Sequence, residues 1–512
     1  MYEKKYSMNN VISRKLDRIL RGKQPNVLDL FSGCGGISLG FDLAGCSIIG
    51  GIEQDAHAVK SHALNFHSGD CNKTAVHSIP RDITTLSPSS YLRELGYNKP
   101  QDVVDILVGG PPCPAFARVG RAKLREVQEH PDAFRHDPRA KLYLPYLDFV
   151  RELQPVALLM ENVPDILNYG GHNLAEEICD ILEEWSYECK YTLLNAANYG
   201  VPQMRERFFL IGIHRDAECD YKFPVPTRLV DFPQGYKSSR QVALKHIKQD
   251  DLFEKYRYVQ TPASPAEAGP PVTVREAIED LPTITGHLNG TIKRGARKFD
   301  TSVEYRQNIE VSEYALKMRS WPGFEGDGQI WDHVTRSLSK RDYRLFSNMN
   351  EGDDYPKAFR LAEKLFNDFL LRNDNLETDN NEYSELRASY VPPYDPGKFP
   401  NKWRKMESDQ PARTLMAHLG KDSYSHIHYD SVQARVLSVR EAARLQSFPD
   451  GFRFSGTMNP AFRQIGNAVP PLMVFALASS LLQAIYSSAH TSAFVRLLQE
   501  RQIEYLSGIR TS

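Results

Sequence analysis

The sequence predicts a doubly wound α/β domain built on parallel strands, joined to a smaller, irregular second domain. Two observations predict the first domain. Short, wholly apolar runs alternate with amphipathic helical patterns, and the first such run passes straight into a glycine-rich turn. A third observation predicts the second domain. After about residue 215 the periodicity fades while Trp, Phe and Tyr persist, which argues for irregular folded structure rather than disorder.

The elements follow in order along the chain. Residues 26–31 (NVLDLF) read as a buried strand, and SGCGGISLG as the turn and the start of a helix. A second strand, SIIGGIE, ends at Glu53. A third, VVDILVGG at 103–110, runs into Pro111, Pro112 and Cys113, and a fourth, VALLMENV at 156–163, ends in Glu161 and Asn162. The patterns KLYLPYLDFVREL and NLAEEICDILEEW supply covering helices, while YTLLNAANYG and RERFFLIGI predict an antiparallel pair at the sheet edge. Regular signals return in VREAARLQSF and PPLMVFALASSLLQAIY. The expected division is an N-terminal extension over 1–25, a catalytic domain over 26–215, an irregular domain over 216–430, and a segment 431–512 returning to the catalytic domain.

Bulk properties narrow the function. A chain of 512 residues is too long for one core. The 41% hydrophobic and 25% charged residues are ordinary for a soluble protein. No apolar run reads as a membrane span and the N-terminus lacks a signal-peptide core, so the expected location is cytoplasmic. The seven cysteines are scattered without a CxxC pair, which predicts reduced thiols and no metal. A net charge of −1 excludes a globally basic nucleic-acid binder but leaves room for a local basic groove. Residues 118–141 are locally basic, as are positions scattered over 290–345 and 398–421; composition alone favours a solvated face for such runs.

Four motifs carry chemistry. In the first, Asp29 opens DLFSGCGG, whose glycines Gly33, Gly35 and Gly36 let backbone approach a ligand, and Glu53 about 20 residues on suits ribose hydroxyls. A ligand-free strand-to-helix turn explains the glycines equally well, and the spacing does not match the GxGxxG of nicotinamide enzymes. In the second, GGPPC, two prolines fix φ and hold the Cys113 thiol at the carboxyl end of a parallel strand, with Arg118 and Arg121 near enough to favour thiolate. Cys46, Cys179 and Cys189 read instead as inert core residues. The third, Glu161-Asn162-Val163, aims a carboxylate at the same crevice. In the fourth, alternation puts Gln203, Arg205 and Arg207 on one strand face.

In this order, DLFSGCGG, GGPPC, ENV, NYGVPQMRER, VREAARLQSFPD and RQIGNAVPP resemble the motif series of the C5-cytosine DNA methyltransferases, over residues 26–215 and 430–480. TVREAIEDLP and QPARTLMAHLGKD resemble segments that bacterial members carry between them. The resemblance implies a Rossmann-like domain that uses S-adenosyl-L-methionine, a target-recognition domain over 216–430, and duplex DNA in the cleft between two lobes. It implies that Cys113 is the nucleophile, that Glu161 hydrogen-bonds the cytosine ring and that Arg205 supports the base near O2. Phe31, Ser32, Gly33, Gly35 and Gly36 would line the cofactor loop, Glu53 would take the ribose, Asp82 and Ile83 the adenine, and Asn467 would complete that side. Arg118, Arg121, Gln203 and Arg207 would touch DNA. A cognate restriction endonuclease or a phage-defence complex is the expected company.

The chemistry agrees with those roles. Cytosine C5 is a poor nucleophile until a thiolate adds at C6, and a carboxyl group at N3 stabilises the charge that develops. The base must leave the stack first, at a cost of a few kcal/mol. One departure stands out: Pro114-Ala115-Phe116-Ala117 replaces the family's Gln-Gly-Phe-Ser after the cysteine. Two alternatives remain open here, a cytosine methyltransferase acting on RNA and a non-catalytic DNA-binding regulator of the same fold. The long 216–430 region favours duplex DNA over the first, and intact Cys113, Glu161 and Arg205 weigh against the second.

Overall fold

A computed structural model describes residues 10–112, 142–168, 173–245, 247, 257–291, 298–373, 380–421 and 424–487. These form two compact units. The first comprises the described parts of Met1–Val201, Arg205–Pro271 and Ala468–Ser512, and the second Pro202–Met204 and Val272–Asn467.

The first unit is the α/β domain. Its strands are β1 (Asn26–Leu30), β2 (Ser47–Ile52), β3 (Ile106–Gly109), β4 (Ala157–Asn162), β5 (Tyr187–Asn195) and β6 (Glu206–His214), in the spatial order β2-β1-β3-β4-β6-β5. The first four run parallel; β6 is antiparallel to both β4 and β5. The anticipated edge hairpin therefore forms, in unbroken register from Tyr187↔His214 to Asn195↔Glu206. Helices α1 (Asn10–Leu20), α2 (Gly36–Leu43), α3 (Ala56–Phe66), α4 (Tyr143–Leu153), α5 (Leu174–Glu184) and α6 (Pro471–Ser487) cover the sheet. Cover on both faces is why the strands read as continuous apolar runs: Val27, Leu28, Ile106, Leu107, Val108, Leu158, Leu159 and Met160 are all fully buried.

Two segments join this unit that the sequence assigned elsewhere. Helix α1, within the expected N-terminal extension, is tied to this unit: Lys15 Nζ donates to the carbonyls of Leu153 and Gln154 at 2.7 and 2.8 Å, and Arg18 pairs with Asp105. Residues 216–271 also belong here. Edge strand β5 needs a backbone partner, and 257–259 supply it, with Tyr191 N–H donating to Arg257 O and Val259 N–H to Tyr191 O. Helix α6 returns from the far end of the chain onto α2, so closely that a Cβ at Gly40 would lie 2.5 Å from Val474 Cβ.

The second unit begins at 272 rather than 216 and ends at 467 rather than 430. Helix Val439–Leu445 explains the later end. Its arginines are buried and need carboxylates, which come from the same unit: Arg440 pairs with Asp332, and Arg444 with Asp280 and with Asp450 just beyond the helix. The unit's core gathers Phe346, Tyr355, Trp403, Ile427 and Val436 around helix Tyr355–Arg372.

The stretch Met458–Ser487 does have the length and composition of a membrane span. It consists of two helices broken at Ala468–Pro470, and its most apolar window is 67% buried within the protein, as expected of core helices.

Candidate active site

The site lies at the carboxyl ends of β1 to β4, where open α/β sheets bind ligands. Glu161 is the penultimate residue of β4. Its Oε1 accepts from Arg207 Nε at 3.0 Å, with both side chains largely buried. Burial pushes the Glu161 carboxyl up, and the neighbouring guanidiniums, Arg207 first and then Arg205, pull it back down. The glycine pair ending β3 meets this carboxylate directly: a Cβ at Gly110 would lie 2.8 Å from Glu161 Oε2. Asn162 ties the two strand ends together, its Nδ2 donating to Pro111 O at 3.2 Å. Asn162 had no assigned role in the sequence reading, although its place beside Glu161 in ENV was a signal.

The glycine-rich turn stands at the end of β1. Phe31 adopts φ 58°, a left-handed conformation that a non-glycine residue holds only at a cost of about 1–3 kcal/mol, which is a mark of functional sites. Gly33 (φ 55°) and Gly35 (φ 105°) continue the turn in the region that favours glycine. Gly36 lies under the returning chain, where a Cβ would come within 2.4 Å of Val469 O. Glu53, just beyond β2, accepts from Gly33 N–H at 3.0 Å and Asp55 N–H at 2.8 Å. Burial raises its carboxyl, and the N–H bonds oppose that rise. Arg81 N–H donates to Glu53 O, which brings Asp82 and Ile83 alongside; Asp82 Oδ1 caps the next turn through Thr84, and Ile83 is buried. The residues suit a polar ligand. Among the described residues, Ser32 Oγ is buried without a protein partner, and nothing lies within 4 Å of a Cβ added at Gly33.

The fourth motif splits. Arg205 is buried beside Glu161 and Arg207, its charge disfavoured by burial and supported by Glu161. Arg207, expected on DNA, is instead engaged with Glu161. Gln203, expected on DNA, is fully buried in the second unit. Its Nε2 donates to Leu445 O at 3.1 Å and its Oε1 accepts from Leu415 N–H at 2.9 Å, so it cements the VREAARLQSF helix. Strict alternation fails because β6 begins only at Glu206. Cys113, Arg118 and Arg121 lie outside the described residues. Asn467 closes the helix Met458–Asn467 as the last residue of the second unit, one position before the segment that packs on Gly36. Cys46, Cys179 and Cys189 are buried, in keeping with inert core thiols.

A sheet whose parallel strand ends gather a strained glycine turn, a buried acid bonded to that turn and an arginine-clamped carboxylate defines a ligand-binding enzyme of the doubly wound α/β class. The profile of the C-5 cytosine-specific DNA methylases matches residues 25–483, and the chain belongs to that family. M.OihORF3336P of Oceanobacillus iheyensis, which bears a type II methyltransferase name, is 37% identical over 469 residues, covering 90% of this chain and 96% of its own. The type II methyltransferase M.AgeI of Thalassovita gelatinovora is 31% identical over 481 residues, covering 90% and 99%. Among solved structures, a prophage-encoded DNA modification methyltransferase from E. coli superposes with a TM-score of 0.58 at 22% identity, covering 90% of this chain and 99% of its own, which bears on the fold alone. The protein is a DNA cytosine-5 methyltransferase, and the RNA-directed reading gives way to the DNA-directed one.

Proposed function

We propose that the chain methylates C5 of an extruded cytosine within a defined duplex sequence, with S-adenosyl-L-methionine as donor and Cys113 as nucleophile. The observation that carries this reading is the Glu161 carboxylate, clamped by Arg207 and lying against Gly110 of the loop that leads to Cys113. The Cys113 thiolate adds to C6, which moves the ring's electron pair toward C5 and N3, while the Glu161 carboxyl in its protonated form donates its proton to N3 and takes it back when the thiolate leaves. When bound, the donor supplies an electrophilic methyl on a sulfonium. Loss of the C5 proton to a base then restores the double bond and expels the Cys113 thiolate.

Ser32, Gly33, Gly35, Gly36 and Phe31 would hold the donor from the β1 turn, with Glu53 at its ribose, Asp82 and Ile83 at its adenine, and Asn467 closing that side. Arg205 would support the base, and Arg118 and Arg121 the DNA backbone; neutralising that pair would weaken DNA binding. The second unit would read the target sequence. The type II names of its relatives support a restriction-modification setting, with a cognate endonuclease as partner.

Covalent trapping on duplex DNA containing 5-fluorocytosine tests the reading. The wild type should form a denaturation-resistant adduct in the presence of donor and Cys113→Ser none, with product formation lost by more than about a thousandfold. An adduct or full turnover in the serine variant would overturn it. Bisulfite sequencing of DNA from expressing cells then reads the target.

A further inference from the structure

The β1 turn rests on a buried polar chain that none of the roles above uses. Asp29 Oδ2 accepts from Ser38 Oγ at 2.7 Å, and Ser38 Oγ lies 3.0 Å from His62 Nε2. All three residues are buried. A hydroxyl carries one proton, so when Asp29 is ionised the order is forced: His62 Nε2–H donates to Ser38, and Ser38 donates to Asp29. Burial keeps His62 neutral, its pKa pushed down to about 3.

The same imidazole fills the space behind the turn. A Cβ at Gly35 would meet its Cδ2 at 3.2 Å, and a Cβ at Gly51 would meet its Cε1 at 2.8 Å and Ser32 Oγ at 2.7 Å. The Phe66 ring, 4.8 Å away, meets the imidazole, and its edge would lie 2.4 Å from a Cβ at Gly35. His62 sits on α3, the helix that follows Glu53, so one strand-to-helix arm grips the turn twice: by carboxylate at Gly33 N–H and by imidazole at Gly35 and Ser38. A buried histidine that merely satisfied itself would need neither the close approach to two glycines nor the adjacency to the unpartnered Ser32 hydroxyl.

We propose that His62 is a positioning residue for the methyl-donor site, setting the Ser32–Gly36 turn in its ligand-receptive conformation through Ser38 and Asp29. This rests on the reading of that turn as the donor site. His62→Leu removes the donor nitrogen at similar volume, whereas His62→Gln places an Nε2–H close to the imidazole Nε2.

Calorimetric titration with S-adenosylhomocysteine is the test, beside donor KM, kcat and the thermal midpoint of the ligand-free protein. His62→Leu should raise the Kd and the donor KM about tenfold, with kcat at saturating donor within about twofold, and His62→Gln should stay within about threefold throughout. A lowered thermal midpoint with Kd unchanged in His62→Leu means a purely structural brace and overturns the proposal, while the donor reading stands. A wild type that binds no S-adenosylhomocysteine overturns both. If His62→Leu does not fold, Ser38→Ala is read against the same outcomes.

Discussion

Replacing Arg207 by leucine should couple stability, pH and catalysis in one measurement. The Arg207–Glu161 pair spans 3.0 Å, with side chains only 15% and 13% exposed. Removing one partner of a buried pair strands the other charge, at a typical cost of about 3–5 kcal/mol. Arg205 remains beside Glu161 and some solvent reaches the site, so the expected loss is about 2–3 kcal/mol at pH 8. The loss must depend on pH. Burial already raises the Glu161 carboxyl, and without Arg207 it rises further. A carboxyl whose folded pKa exceeds its unfolded value, about 4.3, destabilises the fold as pH climbs through that interval. Urea unfolding of wild type and Arg207→Leu between pH 5 and 8 should show the gap widening with pH. Combining the change with Glu161→Gln should recover about 2 kcal/mol, because no stranded charge remains. Methyl transfer at pH 8 should fall at least about tenfold in the single variant, since the carboxylate loses its clamp. A gap independent of pH, or additive effects in the double variant, would refute the electrostatic account of the site.

Three further outcomes follow from the geometry. Gly110→Ala puts a methyl 2.8 Å from Glu161 Oε2, so the carboxylate should move aside and single-turnover methyl transfer should fall about 10–100-fold, with little change in thermal midpoint. Gln203→Leu breaks buried bonds to Leu445 O and Leu415 N–H; urea unfolding should report a loss of about 2–3 kcal/mol, with DNA affinity of the folded fraction unchanged. Burial pushes Asp29 up to about 7, so wild-type stability should fall as pH rises from 5 to 8; Asp29→Asn should remove about 2.5 kcal/mol of that fall in pH-dependent unfolding.

Much of the first unit was legible because each parallel strand is a local apolar run ending in a distinctive turn. DLFSGCGG, GGPPC and ENV each mark a strand end by composition, and strand ends are where such sheets bind ligands. The edge hairpin was legible for the same reason. The bonds of Gln203 were not legible because alternation holds only inside a strand, and β6 starts three residues later. The Arg207–Glu161 pair was not legible because a charged residue at a strand start looks the same in sequence whether it meets a phosphate or a carboxylate. The unit boundaries at 271 and 467 were hidden because they depend on which distant segments complete an edge strand or neutralise a buried arginine.

The sequence by itself determined the order of the chemistry along the chain: a glycine turn, a cysteine in a diproline loop and an acid, each at the end of its own apolar run, and an arginine pair at the start of the last. Those features are local, written in periodicity and in residues with unusual backbone demands. Only the tertiary structure decided that Arg207 clamps Glu161, that Gly110 leaves room for that carboxylate, and that Ser38 and His62 underpin the β1 turn. Each of these is a contact between residues 24 to 51 positions apart, and its energy exists only once desolvation makes a partner obligatory.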